Sequence, residues 1–228
     1  MTAGTPAGLA PVLKALGLSG MLGTLEARLA EARAGTLGHA ELLQVLCEDE
    51  LARREAGKAA RRIRAARFPG QLTLEEFDFG YNPKLPAAQI RDLARLDFIA
   101  AGEGIIAYGP VGVGKSHLAA ALGHQACRRG HDVAFTTCSK LLAELAGGHA
   151  DRSFPARVRK LAKITLLIVD DFAMREFTPA QADDLYDYAD SAIMPAWLLV
   201  QAAWPGQRRR CADSGRHNSG VWRSLSSW

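Results

Sequence analysis

Eight consecutive residues constrain this 228-residue chain more than anything else in it: Gly109-Pro110-Val111-Gly112-Val113-Gly114-Lys115-Ser116 fits G-x-x-x-x-G-K-[ST] at every fixed position. The run Gly104-Ile105-Ile106-Ala107-Tyr108 before it reads as a buried strand. Residues 115–129 after it read as a helix, with Leu118, Ala119, Leu122 and Ala126 along one face. Glycines let successive backbone N–H groups turn toward an anion without side-chain clashes. The start of the helix adds its positive dipole end. Lys115 is placed to reach the β- and γ-phosphates of ATP as a point charge, and the Ser116 hydroxyl to ligate Mg²⁺. The expected nucleotide contacts are these eight residues and the adjoining His117. His117 and His124 share the helix but carry no HExxH pattern and no carboxylate partner, so they read as packing or surface residues rather than metal ligands.

A second signal lies downstream. Leu166-Leu167-Ile168-Val169 is an apolar strand that ends in Asp170-Asp171. A carboxylate at the tip of a buried parallel strand points into the crevice where such sheets bind ligands. Asp170 is expected to hold the Mg²⁺, and Asp171 to orient or deprotonate the attacking water. Alone, an apolar run ending in two aspartates is an ordinary strand end with a solvated cap. Its separation from a phosphate loop gives it meaning.

Around these motifs the chain alternates short apolar runs and helical patterns. Asp132-Val133-Ala134-Phe135-Thr136 reads as a strand, Ser139 to Leu145 as a short helix, and Ile164 to Val169 as a further strand. Such alternation implies a parallel sheet covered on both faces. Before it, leucines at helical spacing and glycines at Gly20, Gly35 and Gly38 predict two or three helices, the last over about residues 39–67, ended by Phe68-Pro69-Gly70. The domains expected are 1–68, helical; 69–190, the α/β core; and 191–228, a tail. No apolar run reaches the length of a membrane-spanning helix, and no signal peptide is read at the N-terminus, so a cytoplasmic protein without membrane partners is expected. The four cysteines, Cys47, Cys127, Cys138 and Cys211, show no metal-ligand spacing, and Cys127 and Cys138 are expected as core thiols.

The net charge of +4 resides in the tail, because residues 191–228 hold five arginines against Asp213 alone, and residues 1–190 balance. An argument for nucleic acid must therefore come from local clustering. Arg53, Arg54, Lys58, Arg61, Arg62, Arg64 and Arg67 supply it, with only Glu55 opposing them. Arg54, Lys58, Arg61 and Arg62 share one helical face, which suits phosphates without sequence preference. The alternative is a solvated helix face. No aromatics interleave, so base stacking is not indicated. The triplet Arg208-Arg209-Arg210 reads as solvated tail.

The stretch GPVGVGKSHLAAALGHQACRRGHDVAFTT, followed by LLIVDDFAMREFTPAQADDLYDYAD, resembles the IstB-type ATP-binding proteins of insertion sequences, relatives of the DnaC-type helicase loaders in the AAA+ superfamily. Phe77-Asp78-Phe79 with Tyr81-Asn82-Pro83-Lys84 resembles that family's lead-in to the ATPase core. The resemblance covers most of residues 10–190. It implies an AAA+ type P-loop fold in which the parallel sheet is flanked by helices and preceded by a small helical domain. It also implies an ATP-controlled homo-oligomer on double-stranded DNA that assists a cognate transposase in choosing and joining its target. Lys115 and Ser116 carry over as nucleotide and magnesium contacts, and Asp170 as the magnesium-site carboxylate. Asp171 stands where many AAA+ proteins have Glu, one methylene longer. Members of the family meet DNA with the N-terminal region.

After Asp190 the resemblance stops. All four tryptophans of the chain lie beyond it, and the family's strand ending in a polar sensor residue, with the arginine-bearing segment that follows, is not recognised. This break suggests a reading-frame change near residue 190, an ATPase core lacking its C-terminal part, and impaired catalysis. It would leave the phosphate-loop strand and the Asp170 strand without their shared neighbour. Trp197-Leu198-Leu199-Val200-Gln201 falls about where that strand should come and is apolar enough to fill the slot. Two other readings fit a phosphate loop. One is a DnaC-like helicase loader. The other is a small-molecule kinase, for which the lid and acceptor site are not seen.

Overall fold

A computed structural model describes residues 8–80, 86–172, 174, 176–190, 196–202 and 222–225. Tyr81 to Lys84, Trp204, Arg208 to Arg210, Cys211 and Trp228 lie outside the described residues. The chain divides into two compact units, residues 1–60 and 61–228.

The first unit is helical. Helices α1 (Leu9–Ala15) and α2 (Ser19–Arg33) precede α3 (His39–Ala66), whose last turns belong to the second unit. The helix expected over 39–67 is thus present as a single element. Leu13, Leu25 and Leu46 form its core, with Leu18, Met21, Leu29 and Leu42 packed around them. Close approach of α2 and α3 requires Gly20, since a Cβ there would lie 2.7 Å from the Glu50 backbone. The Gly20 N–H donates to the buried Glu50 carboxylate at 2.5 Å. Arg54 donates to the same carboxylate at 2.7 Å and Arg53 at 3.4 Å.

These donors, Arg54 foremost, hold the Glu50 carboxyl down at about 2. A group depressed in the folded state contributes stability that is full above its ordinary value and is lost as pH falls toward the depressed one. Calorimetric melting of the wild type should therefore drop as pH falls from about 4.5 to about 2. A Glu50→Gln variant should lose less over the same window. Equal losses would show that this carboxyl does not govern the acid limb.

Among the described residues the second unit holds a five-stranded sheet. Its strands are β1 (Gly104–Gly109), β2 (Val133–Thr137), β3 (Leu166–Asp170), β4 (Ala196–Ala202) and β5 (Trp222–Leu225), in the order β2-β3-β4-β1-β5. Every pairing is parallel. Helices α4 (Ala87–Leu93), α5 (Asp97–Ala100), α6 (Lys115–Arg128), α7 (Cys138–Ala150), α8 (Phe154–Leu161) and α9 (Pro179–Asp190) complete it. Alternation along the strands divides the core in two. Ile105, Ala107, Ile168, Leu198 and Val200 pack with Leu118 and Leu122 of α6 on one face. Leu167, Val169, Trp197 and Leu199 pack with Leu141 and Leu145 of α7 and Tyr188 of α9 on the other. A sheet buried on both faces explains why these strands read as continuous apolar runs. Cys127 and Cys138 are both buried, as expected.

Two expectations are corrected. The sheet does not lack the strand between β1 and β3. Strand β4, which contains the Trp197 to Gln201 run read as able to fill that slot, lies there, with Ile105 opposite Leu198 on one side and Ile168 opposite Leu198 on the other. Successive side chains of the apolar run Trp197 to Val200 pack into the two core faces in turn, so the expected unpaired strand edges do not arise. The helix read as Ser139 to Leu145 runs on to Ala150. At Gly148 a Cβ would lie 2.7 Å from the Phe154 backbone. That glycine admits α8 to α7 rather than ending the helix. Among the described residues no helix is long and apolar enough to cross a membrane.

Candidate nucleotide-binding site

The site lies at the carboxyl ends of β1, β4 and β3, where an open parallel sheet leaves a crevice. Strand β1 ends at Gly109 and delivers the chain into a tight loop. Gly112 and Gly114 adopt φ of +83° and +92°, a left-handed conformation that side chains with a Cβ resist. Gly114 caps the N-terminus of α6, so the loop turns directly into the helix. The amides of the first turn of α6 lack intrahelical acceptors and carry the positive end of the dipole. Gly114 has a second role. Phe77 packs 3.5 Å from where its Cβ would stand and meets His117 edge-on, with ring centroids 5.3 Å apart. The lead-in segment therefore buttresses the loop from behind, which sequence spacing does not reveal.

Lys115, Ser116, Asp170 and Asp171 come together around a cavity of about 400 Å³. Lys115 is buried, and its ammonium donates to the Pro110 carbonyl at 2.6 Å. Burial pulls its pKa below the usual lysine range, while the charges of Asp170 and Asp171 act in the opposite sense. The Ser116 hydroxyl donates to Asp170 Oδ1 at 3.1 Å. The Asp171 N–H donates to the same oxygen at 2.9 Å, and Asp171 itself is left-handed at φ +54°. The Asp171 side chain is exposed at the cavity wall. The Phe172 N–H is held by the Val200 carbonyl of β4 at 2.9 Å. Strand β4 thus positions the segment that carries both aspartates. Met174 and Val200 also line the cavity, and neither carries a motif that would have marked it.

The other predicted contacts fall as follows. Gly109 ends β1, Pro110 supplies the carbonyl bound by Lys115, Val111 is exposed at the loop tip, and Val113 is half-buried. His117 lines the cavity, and its Nε2 is buried with no hydrogen-bond partner among the described residues. His124 is buried, stacked on Phe68 at 4.3 Å. Four of the seven basic residues of α3 and its end are engaged in ion pairs. Arg53 and Arg54 bind Glu50, Lys58 binds Glu55 at 2.7 Å, and Arg62 binds Asp132 at 3.3 Å. Arg61, Arg64 and Arg67 are exposed and make no ion pair among the described residues.

A hydroxyl and a carboxylate at hydrogen-bond distance form an all-oxygen donor set suited to Mg²⁺. That ion keeps several waters and takes one or two protein ligands together with substrate phosphates. No cluster of three His, Cys, Asp or Glu occurs among the described residues, and none is needed for such a site.

A family model described as IstB-like ATP binding protein matches residues 11–195. An insertion-sequence ATP-binding protein of Mycobacterium tuberculosis is 57% identical over 189 residues, which cover 82% of this chain and 75% of that protein. Among solved structures, the replication initiator DnaA bound to AMPPCP and single-stranded DNA matches with a TM-score of 0.57 at 19% identity. That likeness covers 70% of this chain and 51% of the DnaA chain, about half its length. The DnaC helicase loader matches with a TM-score of 0.57 at 16% identity, over 68% of this chain and 97% of that one. At such identities these likenesses show the fold.

Proposed function

This chain belongs to the IstB-like ATP-binding proteins of insertion sequences, and we propose that it binds Mg²⁺-ATP in the crevice of Lys115, Ser116 and Asp170 and so assists a transposase on duplex DNA. The observation that carries this reading is the 3.1 Å contact of Ser116 with Asp170 beside a buried Lys115. Two motifs far apart in sequence meet at one crevice with the chemistry that a triphosphate needs.

The loop amides from Gly112 to Ser116 surround the phosphates. The Lys115 ammonium leaves the Pro110 carbonyl for the β- and γ-phosphates. Ser116 and Asp170 would hold the magnesium ion, which supplies charge neutralisation across the phosphates when bound. Asp171, exposed at the mouth, orients the attacking water and accepts its proton. The family resemblance implies a transition-state arginine in a segment after residue 190, and that segment is not recognised in this sequence. Turnover is accordingly slow, and ATP acts chiefly as an assembly ligand. In that state several copies gather on DNA, with the basic side of α3 toward the phosphates, and present the target to the cognate transposase.

A nucleotide-release experiment tests this reading. Phosphate release should be slow and should rise when duplex DNA is added, and Asp170→Asn should abolish the Mg²⁺ dependence. Phosphate transfer to a metabolite, or release indifferent to DNA, would refute it.

A further inference from the structure

We infer that the seven basic residues of α3 and its end divide by role: Arg53 and Arg54 hold the helical unit together, while Arg61, Arg64 and Arg67 form the contact for nucleic-acid phosphates. The inference rests on the DNA reading above and says which residues carry it.

The division follows from what each guanidinium meets. Arg53 and Arg54 are drawn to Glu50, a carboxylate only 4% exposed that also accepts the Gly20 N–H. Withdrawing them toward a phosphate would leave a buried charge short of partners, so they stay. Lys58 and Arg62 have their charge offset by Glu55 and Asp132. Arg61, Arg64 and Arg67 are exposed and have no carboxylate within ion-pair distance among the described residues. Their charge is available to an outside anion at no cost to the fold.

Their placement suits a phosphate strand. At about 1.5 Å per residue, Arg61 to the end of α3 at Ala66 spans about 7.5 Å, about two phosphate steps of one DNA strand, and Arg67 follows in a left-handed turn. The backbone beneath them is fixed within the second unit. Ile63 and Ala66 pack into the core that α6 shares, and Arg62 is paired with Asp132. Phe68 stacks on His124 of α6 and fills the space over Gly123, where a Cβ would lie 2.6 Å from its ring. The three arginines therefore belong to the same compact unit as the phosphate loop. One competing explanation is local: cations near a helix C-terminus stabilise the helix through its dipole. It predicts a loss of stability on neutralisation and no change in DNA binding.

The test is duplex binding by the full chain, followed by fluorescence anisotropy over a salt titration, with melting temperature and ATP affinity recorded for each variant. Each phosphate neutralised contributes about 0.9 to the slope of log affinity against log salt. The triple variant Arg61→Gln, Arg64→Gln, Arg67→Gln should lower that slope by about 3 and weaken low-salt binding at least about tenfold. Its melting and ATP affinity should be unchanged. The matching lysine triple should keep most of the slope. Arg53→Gln with Arg54→Gln should melt earlier, with the slope preserved in the folded fraction. A wild-type slope in the glutamine triple, or a slope loss that follows Arg53 and Arg54 instead, overturns the division. If the wild type binds no duplex even at low salt, the DNA reading itself fails.

Discussion

Replacing Lys115 with alanine should lower the affinity for Mg²⁺-ATP by about ten- to a hundredfold while leaving the melting temperature nearly unchanged. The magnitude follows from what is removed. A hydrogen bond to a charged group contributes about 1.5–3 kcal/mol, and about 1.4 kcal/mol is a factor of ten in affinity. Fold preservation follows from where the side chain ends. Among the described residues its ammonium hydrogen-bonds the Pro110 carbonyl of its own loop, at 2.6 Å, and the loop's turn depends on Gly112 and Gly114 rather than on that bond. Isothermal titration calorimetry reads the affinity, and a thermal melt of the same sample reads the fold. Wild-type affinity in the variant would mean that the triphosphate lies elsewhere.

The same residue gives binding a pH dependence of definite sign. Burial lowers the Lys115 pKa, and Asp170 and Asp171 only partly oppose this. As pH rises through the lowered value, the unliganded site goes from charged to neutral. Phosphates favour the charged form, so binding takes up protons and the affinity falls with rising pH on the alkaline side. Stability has the opposite trend: between the lowered and the ordinary value the unfolded chain binds more protons, and stability rises with pH. Both trends should vanish in the alanine variant.

What could be read from the sequence was whatever depends on neighbouring residues. The phosphate loop is local by nature, because consecutive amides must face one anion, and so its glycines, Lys115 and Ser116 stand in one unbroken run. The Asp170 strand was legible for a related reason, since a strand buried on both faces has no polar break until its tip. Residues His39–Ala66 gave a long helical pattern with a clear stop at Phe68-Pro69-Gly70. The rest depends on partners distant in sequence. Nothing in Gly147-Gly148 says that Phe154 will approach. The run of basic residues looks uniform until Glu50 and Asp132 are seen to claim some of them. Phe77 gives no sign that it will support Gly114. The most instructive case is Trp197 to Gln201. Its uninterrupted apolar run marks it for the slot between the two motif strands, although the resemblance ends before it at Asp190. Burial and period decided the sheet, whatever the origin of the segment that supplied them.

Leu199→Asp should abolish cooperative folding of the second unit. Leu199 is buried at the centre of β4, opposite Ile106 of β1 and Val169 of β3, and packs in the cluster of Leu141, Leu145, Tyr188 and Trp197. Losing the leucine removes about 1.5–3 kcal/mol of burial. A carboxylate in its place, with no cation in that apolar cluster, costs several kcal/mol more through desolvation. The sum is comparable with the whole stability of a domain, about 5–15 kcal/mol. Circular dichroism should show no sharp melt for the variant, and ATP binding should disappear with it. An aspartate at Leu43, which is 66% exposed, should melt like the wild type. Comparison with Lys115→Ala separates two kinds of failure, because that change removes ATP from an intact sheet while Leu199→Asp removes the sheet itself. A Leu199→Asp variant that melts like the wild type would show that β4 does not join β1 to β3. The Asp170 segment would then lose the Val200 carbonyl that holds Phe172, and the site described here could not form.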